Sequence, residues 1–129
     1  MKENHEVIES RTSKIWIDDA GILRVLKKQS GDELYEDAVE NLKIIEKLTC
    51  GNPHIALVDL SLLKNQHTSV ISHYVSEPDK INCKAVAFLT SDLHNTYIGI
   101  NNLLISESKF PAKIFSSEEF AIEWLLRFK

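Results

Sequence analysis

The segment Ile55-Ala56-Leu57-Val58-Asp59-Leu60-Ser61 constrains the fold more than any other part of the chain. Four apolar residues run without a polar break, and a carboxylate follows. A strand with one wet face alternates apolar and polar residues, so an unbroken run bounded by turn signals points to cover on both faces. Gly51-Asn52-Pro53 supplies the turn signal before it. Strands of that kind belong to parallel sheets with helices on each side. Asp59 then falls at the carboxyl end of the strand, where open α/β sheets place their sites. Ala85-Val86-Ala87-Phe88-Leu89 is a second run of the same type.

Size and charge narrow the classes. With 129 residues the chain suits one domain, 1–129, with 1–13 as an N-terminal strand or extension. The formal net charge of -4 argues against a duplex nucleic-acid binder, which needs a basic face. Lys27-Lys28 reads as a solvated strand end. Cys50 and Cys83 lack C-x-x-C spacing and read as reduced thiols of a cytoplasmic protein. The N-terminus lacks the apolar core of a signal peptide. No apolar run approaches the roughly 20 residues of a membrane span, so no membrane insertion is expected.

The first third reads as strands: 6–10, 14–17 and 22–27. Asp18-Asp19-Ala20-Gly21 is the turn of an antiparallel hairpin, with Gly21 free to take a positive φ. Ser30-Gly31-Asp32-Glu33 fits a capping box. Leu34, Ala38, Leu42, Ile45 and Leu48 then recur at helical spacing until Gly51 and Pro53. A short helix is expected over 68–76, stopped before Pro78. Leu93, Tyr97, Ile100 and Leu104 mark another helix, and 112–115 a last strand. Ser116-Ser117-Glu118-Glu119 offers a second capping box. Phe120, Ala121, Trp124, Leu125 and Phe128 fall on one helical stripe. The expected fold is α/β: an N-terminal antiparallel β meander, then α-β-α-β-α-β-α, giving a mixed sheet covered by helices.

That order of elements meets a family. Ile15-Trp16-Ile17-Asp18-Asp19-Ala20-Gly21-Ile22-Leu23, Asp37-Ala38, Leu57-Val58-Asp59-Leu60 and Ala85-Val86-Ala87-Phe88-Leu89 carry the resemblance. Asn101-Asn102-Leu103, Pro111-Ala112-Lys113-Ile114-Phe115, Glu119, Ala121 and Trp124-Leu125 complete it. The chain resembles the STAS/SEC14-like domains, the fold of the anti-sigma-factor antagonists, and is most similar to an uncharacterised bacterial STAS-like group. Most matching residues are core or turn residues, so they speak to fold more than to activity. In the antagonists, a strand reading Val-Asp-Leu-Ser precedes a helix whose first turn carries a serine phosphorylated by a partner kinase. Val58-Asp59-Leu60-Ser61 matches the strand, and Thr68 and Ser69 stand at the place of the phosphoacceptor. The family's aspartate before that position and glycine after it are absent here.

The resemblance therefore implies an interaction surface around Asp59, Ser61, Thr68 and Ser69. A phosphate on Thr68 or Ser69 would sit over a helix N-terminus, where amides and the dipole favour an anion. It would also place about two negative charges on a docking surface. The plainer role for Thr68 or Ser69 is a helix N-cap. Asp59 has three readings: a cation ligand, a phosphoryl acceptor as in response-regulator receivers, or a cap for the loop after the strand. Asp18-Asp19, Asp59, Thr90 and Lys113 occur in receiver order, but the acidic pair lies in a Gly-containing turn before a strand.

His5, His54, His67, His73 and His94 show no H-E-x-x-H spacing and read as scattered surface residues, so no metal is expected. No nucleophile elbow or Gly-rich phosphate loop is present, so neither catalytic residues nor a cofactor is expected. The sequence thus favours a non-catalytic regulatory domain that works through contact with a protein whose identity is open, with a second copy of the chain as one candidate. A small-molecule or lipid carrier is the alternative, because Ile98, Ile100, Leu103, Leu104 and Ile105 crowd more than one helical face. A receiver-like phosphoacceptor at Asp59 is the third reading.

Overall fold

A computed structural model describes residues 6–28, 34–61, 82–90 and 111–129. These contribute six strands to one sheet, in spatial order β1-β2-β3-β4-β5-β6. The strands are β1 (Ile8–Glu9), β2 (Ser13–Ile17), β3 (Ile22–Lys27), β4 (His54–Asp59), β5 (Cys83–Leu89) and β6 (Ala112–Phe115). The first two pairings are antiparallel and the remaining three parallel. The expected mixed sheet with a meander at its start is what the chain forms. Helices expected over 68–76 and 93–104, and the Ser30–Glu33 capping box, lie outside the described residues.

The hairpin between β2 and β3 closes on Asp18. Its side chain accepts from the amides of Ala20 and Ile22, both at 2.9 Å, and its carbonyl accepts from the Gly21 amide at 3.0 Å. Gly21 takes φ 83°. That conformation costs a side-chain-bearing residue about 1–2 kcal/mol.

Helix α1 (Tyr35–Thr49) follows β3, and its cap is Leu34. Asp37, in the first turn, accepts the Leu34 amide at 2.8 Å. Asp37 also accepts from two nitrogens of Arg11, Nε at 3.0 Å and Nη2 at 2.5 Å. The Arg11 hydrogen bond holds the Asp37 carboxyl below its ordinary pKa. At its far end the helix leaves through two left-handed residues, Cys50 (φ 55°) and Gly51 (φ 74°), so the reversal starts one residue before the expected glycine.

Register shows how the faces divide. Trp16, Arg24, Leu57, Ala87 and Lys113 are successive partners across the sheet and share one face. The neighbouring row on that face is Lys14, Leu26, Asp59, Leu89 and Phe115. The opposite face carries Ile15, Leu23, Val25, Ala56, Val86 and Phe88, packed with Leu42 and Ile45 of α1. Helix α2 (Glu118–Leu125) returns over the first face. Its Ala121 and Leu125, both 0% exposed, pack with Ile22, Ile55, Leu57, Ala85 and Ala87. Leu57 is 2% exposed between the two layers, as its unbroken apolar context predicts. Burying a leucine-sized side chain in this way contributes about 1.5–3 kcal/mol.

Three local expectations give way. The N-cap of α2 is Ser117, whose hydroxyl accepts from the Phe120 amide at 3.4 Å. The N3 position is therefore Phe120 rather than a glutamate, and no capping box closes. With that phase Phe120 turns outward, 62% exposed, and leaves the apolar stripe, while Trp124 packs against Phe115 and Phe128. Lys27, expected in solvent, is buried because its strand alternation turns it towards the α1 side, where its charge acts on Asp37. Lys28 pairs with Glu9 at 2.7 Å.

Beneath the α1 side lies a buried polar cluster. Ser10 and Thr12 come from the β1–β2 turn, Ser13 from the start of β2, and Asn41 from the helix. Asn41 Nδ2 donates to Thr12 Oγ1 at 3.1 Å and to Ser13 Oγ at 3.3 Å, and its Oδ1 accepts from Ser10 Oγ at 2.6 Å. Polar groups taken from water need such partners, and this set links the first turn of the chain to α1.

Candidate functional site

All four parallel strands point their carboxyl ends to one rim. Asp59 ends β4 there. Its Oδ1 accepts from the Ser61 amide at 2.9 Å and from the Ser61 hydroxyl at 2.6 Å. The Leu60 amide donates to the Leu89 carbonyl at 2.7 Å, and the Thr90 amide to the Phe115 carbonyl at 3.0 Å. The backbone beyond β4 and β5 is thus fixed by hydrogen bonds to its neighbours. Among the sequence candidates, Asp59 and Ser61 come together, with Asp59 capping the loop. Thr68 and Ser69 lie outside the described residues.

Beside Asp59, on the α2 side of the sheet, is a cleft of about 150 Å³. Trp16, Leu26 and Leu57 form its apolar walls, and Arg24, Asp59 and Glu118 its polar ones. The site exists because α2 lies chiefly over β4–β6 and meets β3 at Ile22 and Arg24, which leaves Trp16 and Leu26 at its side. Arg24, only partly exposed, reaches Glu118 at 2.6 Å and Asp18 at 3.5 Å. Sequence reasoning missed this cleft. The available signal was Arg24 itself, a charge inside the apolar strand Ile22-Leu23-Arg24-Val25-Leu26, facing the same way as Trp16 across the hairpin.

The receiver arrangement does not form. Asp18 is committed to the hairpin turn, and the sheet order is sequential with an antiparallel start. Among the described residues no group of three or more His, Cys, Asp or Glu side chains gathers to hold a metal ion. No helix among them is long and apolar enough to cross a membrane.

Two titratable groups lie at the opposite end of the sheet. His54 begins β4, paired with Cys83 of β5. Contrary to the expectation of a surface residue, it is buried at the strand start, where β4 pairs with β5. Its Nδ1 lies 3.0 Å from the Asn52 carbonyl, which fixes Nδ1–H as donor, and its Nε2 has no partner. Burial lowers the His54 pKa, partly offset by that carbonyl. Burial likewise pushes the Cys83 thiol up to about 12.

The family model of DUF7793, a domain of unknown function, matches residues 15–129. The chain belongs to that family. No curated protein matches this DUF7793 chain. Solved structures similar to it include an uncharacterized protein of the DUF3478 family with a SpoIIAA-like fold from Shewanella loihica PV-4. The two are 18% identical, with 97% of this chain and 98% of that one covered and a TM-score of 0.52. Apo-SiaC from Pseudomonas aeruginosa is also 18% identical, covering 88% of this chain and all of its own, with the same TM-score. The complex of the P. aeruginosa diguanylate cyclase SiaD with its activator SiaC matches at 17% identity, over 87% of this chain and 98% of the matched one, again at 0.52. At such identities the shared feature is the fold. The DUF7793 chain has the SpoIIAA-like fold, in line with the STAS resemblance of its sequence.

Proposed function

We propose that this chain is a single, non-catalytic regulatory domain that acts by docking on a protein partner. The observation that carries the reading is the fold shared with SiaC, an activator that works in complex with the enzyme SiaD. The rim supports it chemically. Asp59 serves its own loop through Ser61, and Arg24 is neutralised by carboxylates, which leaves no acid–base or nucleophile pair assembled among the described residues. A surface of fixed backbone groups and one small cleft suits recognition. A phosphate on Thr68 or Ser69 would modulate that recognition by adding about two negative charges close in sequence to the rim.

The test is affinity purification of the tagged chain from the organism that encodes it, with crosslinking and mass spectrometry. The expected result is a stoichiometric enzyme or kinase partner, with one phosphate on Thr68 or Ser69 in a fraction of molecules that changes with growth state. A chain that recovers no stoichiometric partner under any growth state refutes the docking reading. A chain that stays unmodified while its partner comes and goes refutes the phosphate switch alone.

A further inference from the structure

We propose that the cleft beside Trp16 receives a basic side chain, an arginine, from the protein partner. This deepens the docking reading above and rests on it. Ligand pockets for cofactors and drug-sized molecules run from about 300 Å³ upward. At about 150 Å³ this cleft is too small for them and suits one long side chain. Its walls supply what a guanidinium uses. Trp16 brings to the wall an indole, the ring on which a guanidinium stacks, and Leu26 and Leu57 offer apolar cover for the aliphatic stem.

The charges have the complementary sign. Asp18 and Glu118 pair with the guanidinium of Arg24, and Asp59 lines the same cleft. Asp59 spends Oδ1 on Ser61, and its Oδ2 has no partner among the described residues. Two further strand cations share this face: Lys14 stands opposite Glu9 in the β1–β2 pair, where its charge acts on that glutamate, and Lys113 of β6 lies over the Phe115 ring, 5.6 Å from its centroid, outside the lining of the cleft. An incoming cation thus meets surplus negative charge. Arginine fits better than lysine because its planar fork both stacks on an indole and donates twice to a carboxylate. Arginine and tryptophan are also the residues in which binding energy concentrates at protein interfaces.

The first experiment titrates Nα-acetyl-arginine amide into the 15N-labelled full chain. The two indole N–H signals, of Trp16 and Trp124, are assigned with Trp16→Phe. The Trp16 signal should move saturably while that of Trp124 stays in place. The neutral citrulline analogue should leave both unmoved. Asp59→Asn combined with Glu118→Gln should weaken binding by about tenfold or more, with the amide fingerprint showing an intact fold. A Trp16 signal that stays still, or that moves equally with citrulline, overturns the proposal.

The second experiment separates this proposal from the reading beneath it. A photo-crosslinking residue is placed at position 14 or, on the exposed outer face of α1, at position 46, and each chain is irradiated in its host. Crosslinks from position 14 to a partner segment containing arginine support the cleft. Crosslinks from position 46 alone, or from position 14 to a segment without a basic residue, overturn the cleft and leave the docking reading standing. No crosslink from either position removes both.

Discussion

Replacing Asn41 tests whether the buried polar cluster holds the start of the sheet to α1. Asn41→Leu keeps the branching of the side chain and removes its hydrogen bonds to Ser10, Thr12 and Ser13. A net contribution of about 1 kcal/mol per bond gives a loss of about 3 kcal/mol. Two terms adjust that figure. The Thr12 and Ser13 hydroxyls, 2% and 0% exposed, lose a shared partner in a dry site, which adds cost. The Ser10 hydroxyl can swing to the Ser13 carbonyl, 3.4 Å away, which recovers part of its bond. The expected loss is therefore about 2–4 kcal/mol, a sizeable share of the roughly 5–15 kcal/mol by which domains are stable. The assay is urea unfolding followed by tryptophan fluorescence. With a slope of about 2 kcal/mol/M the midpoint should fall by about 1–2 M at unchanged slope. Thr12→Val and Ser13→Ala added to Asn41→Leu should recover a large part of the loss, because the orphaned hydroxyls leave together with their partner. A loss under about 0.5 kcal/mol for Asn41→Leu, or no recovery in the triple variant, would falsify the assignment of stability to this cluster.

Other outcomes follow from the same structure. The folded-state pKa of His54 is lowered by burial, so its contribution to stability is fully present above the unfolded value of about 6.5 and is lost as pH falls through the folded one. The urea midpoint should drop as the pH falls below about 6.5, and His54→Leu should flatten that drop; parallel curves for the two proteins sink the idea. Asp37 acts in a separate, more acidic window, because its pKa is lowered by Arg11 from an already acidic value. Iodoacetamide at about pH 8 should label native protein first at the exposed Cys50, while the half-buried Cys83, its thiol raised to about 12, reacts far more slowly until the protein unfolds; peptide mapping that finds both labelled at equal rates in folded protein refutes the raised thiol pKa of Cys83. Leu125→Ala should cost about 2–5 kcal/mol by calorimetry, because the α2 layer closes around a side chain with no exposure, and a change under about 1 kcal/mol would show that α2 does not seal this face.

What the sequence reveals tracks how local each signal is. Residues 55–59 and 85–89 announce strands covered on both faces because the whole signal lies within a handful of consecutive side chains. The Asp18–Gly21 turn and the stripe of α1 are legible for the same reason. Lys27 and His54 are misread because their burial is decided by partners distant in sequence. Lys27 faces α1 through strand alternation, and His54 is enclosed by the start of β5, about 30 residues on. The one-residue shift of the α2 cap shows the limit of the local signal itself. Ser116 and Ser117 are both competent caps, and the backbone chooses between them by how β6 delivers the chain. Asp59 could be placed at the rim from its strand alone. The cleft beside it could not, since it needs Trp16 of β2, Arg24 of β3 and Glu118 of α2 side by side, a juxtaposition made by the sheet and its crossover.

The way α2 is fastened shows why the cleft can be altered without unfolding the domain. Two polar contacts tie its first residue and the chain beyond it to the β2–β3 hairpin, Glu118 to Arg24 at 2.6 Å and Lys129 Nζ to the Ala20 carbonyl at 2.6 Å. Both lie in solvent, where such contacts contribute about 0–1 kcal/mol each. The apolar burial of Ala121 and Leu125 against β4 and β5 contributes several times more. The two functions are therefore separable: the apolar layer holds the helix down, and the Glu118 contact sets how its first turn stands over Arg24 and Trp16. Glu118→Gln should leave the melting temperature within about 2–4 °C, the shift that about 1 kcal/mol or less produces in a domain approaching this size. The same substitution should change the environment of the Trp16 indole, read as a displaced N–H signal beside an unmoved Trp124 signal. A large loss of stability, or a Trp16 signal indifferent to Glu118, would show that the contact belongs to the core rather than to the wall of the cleft.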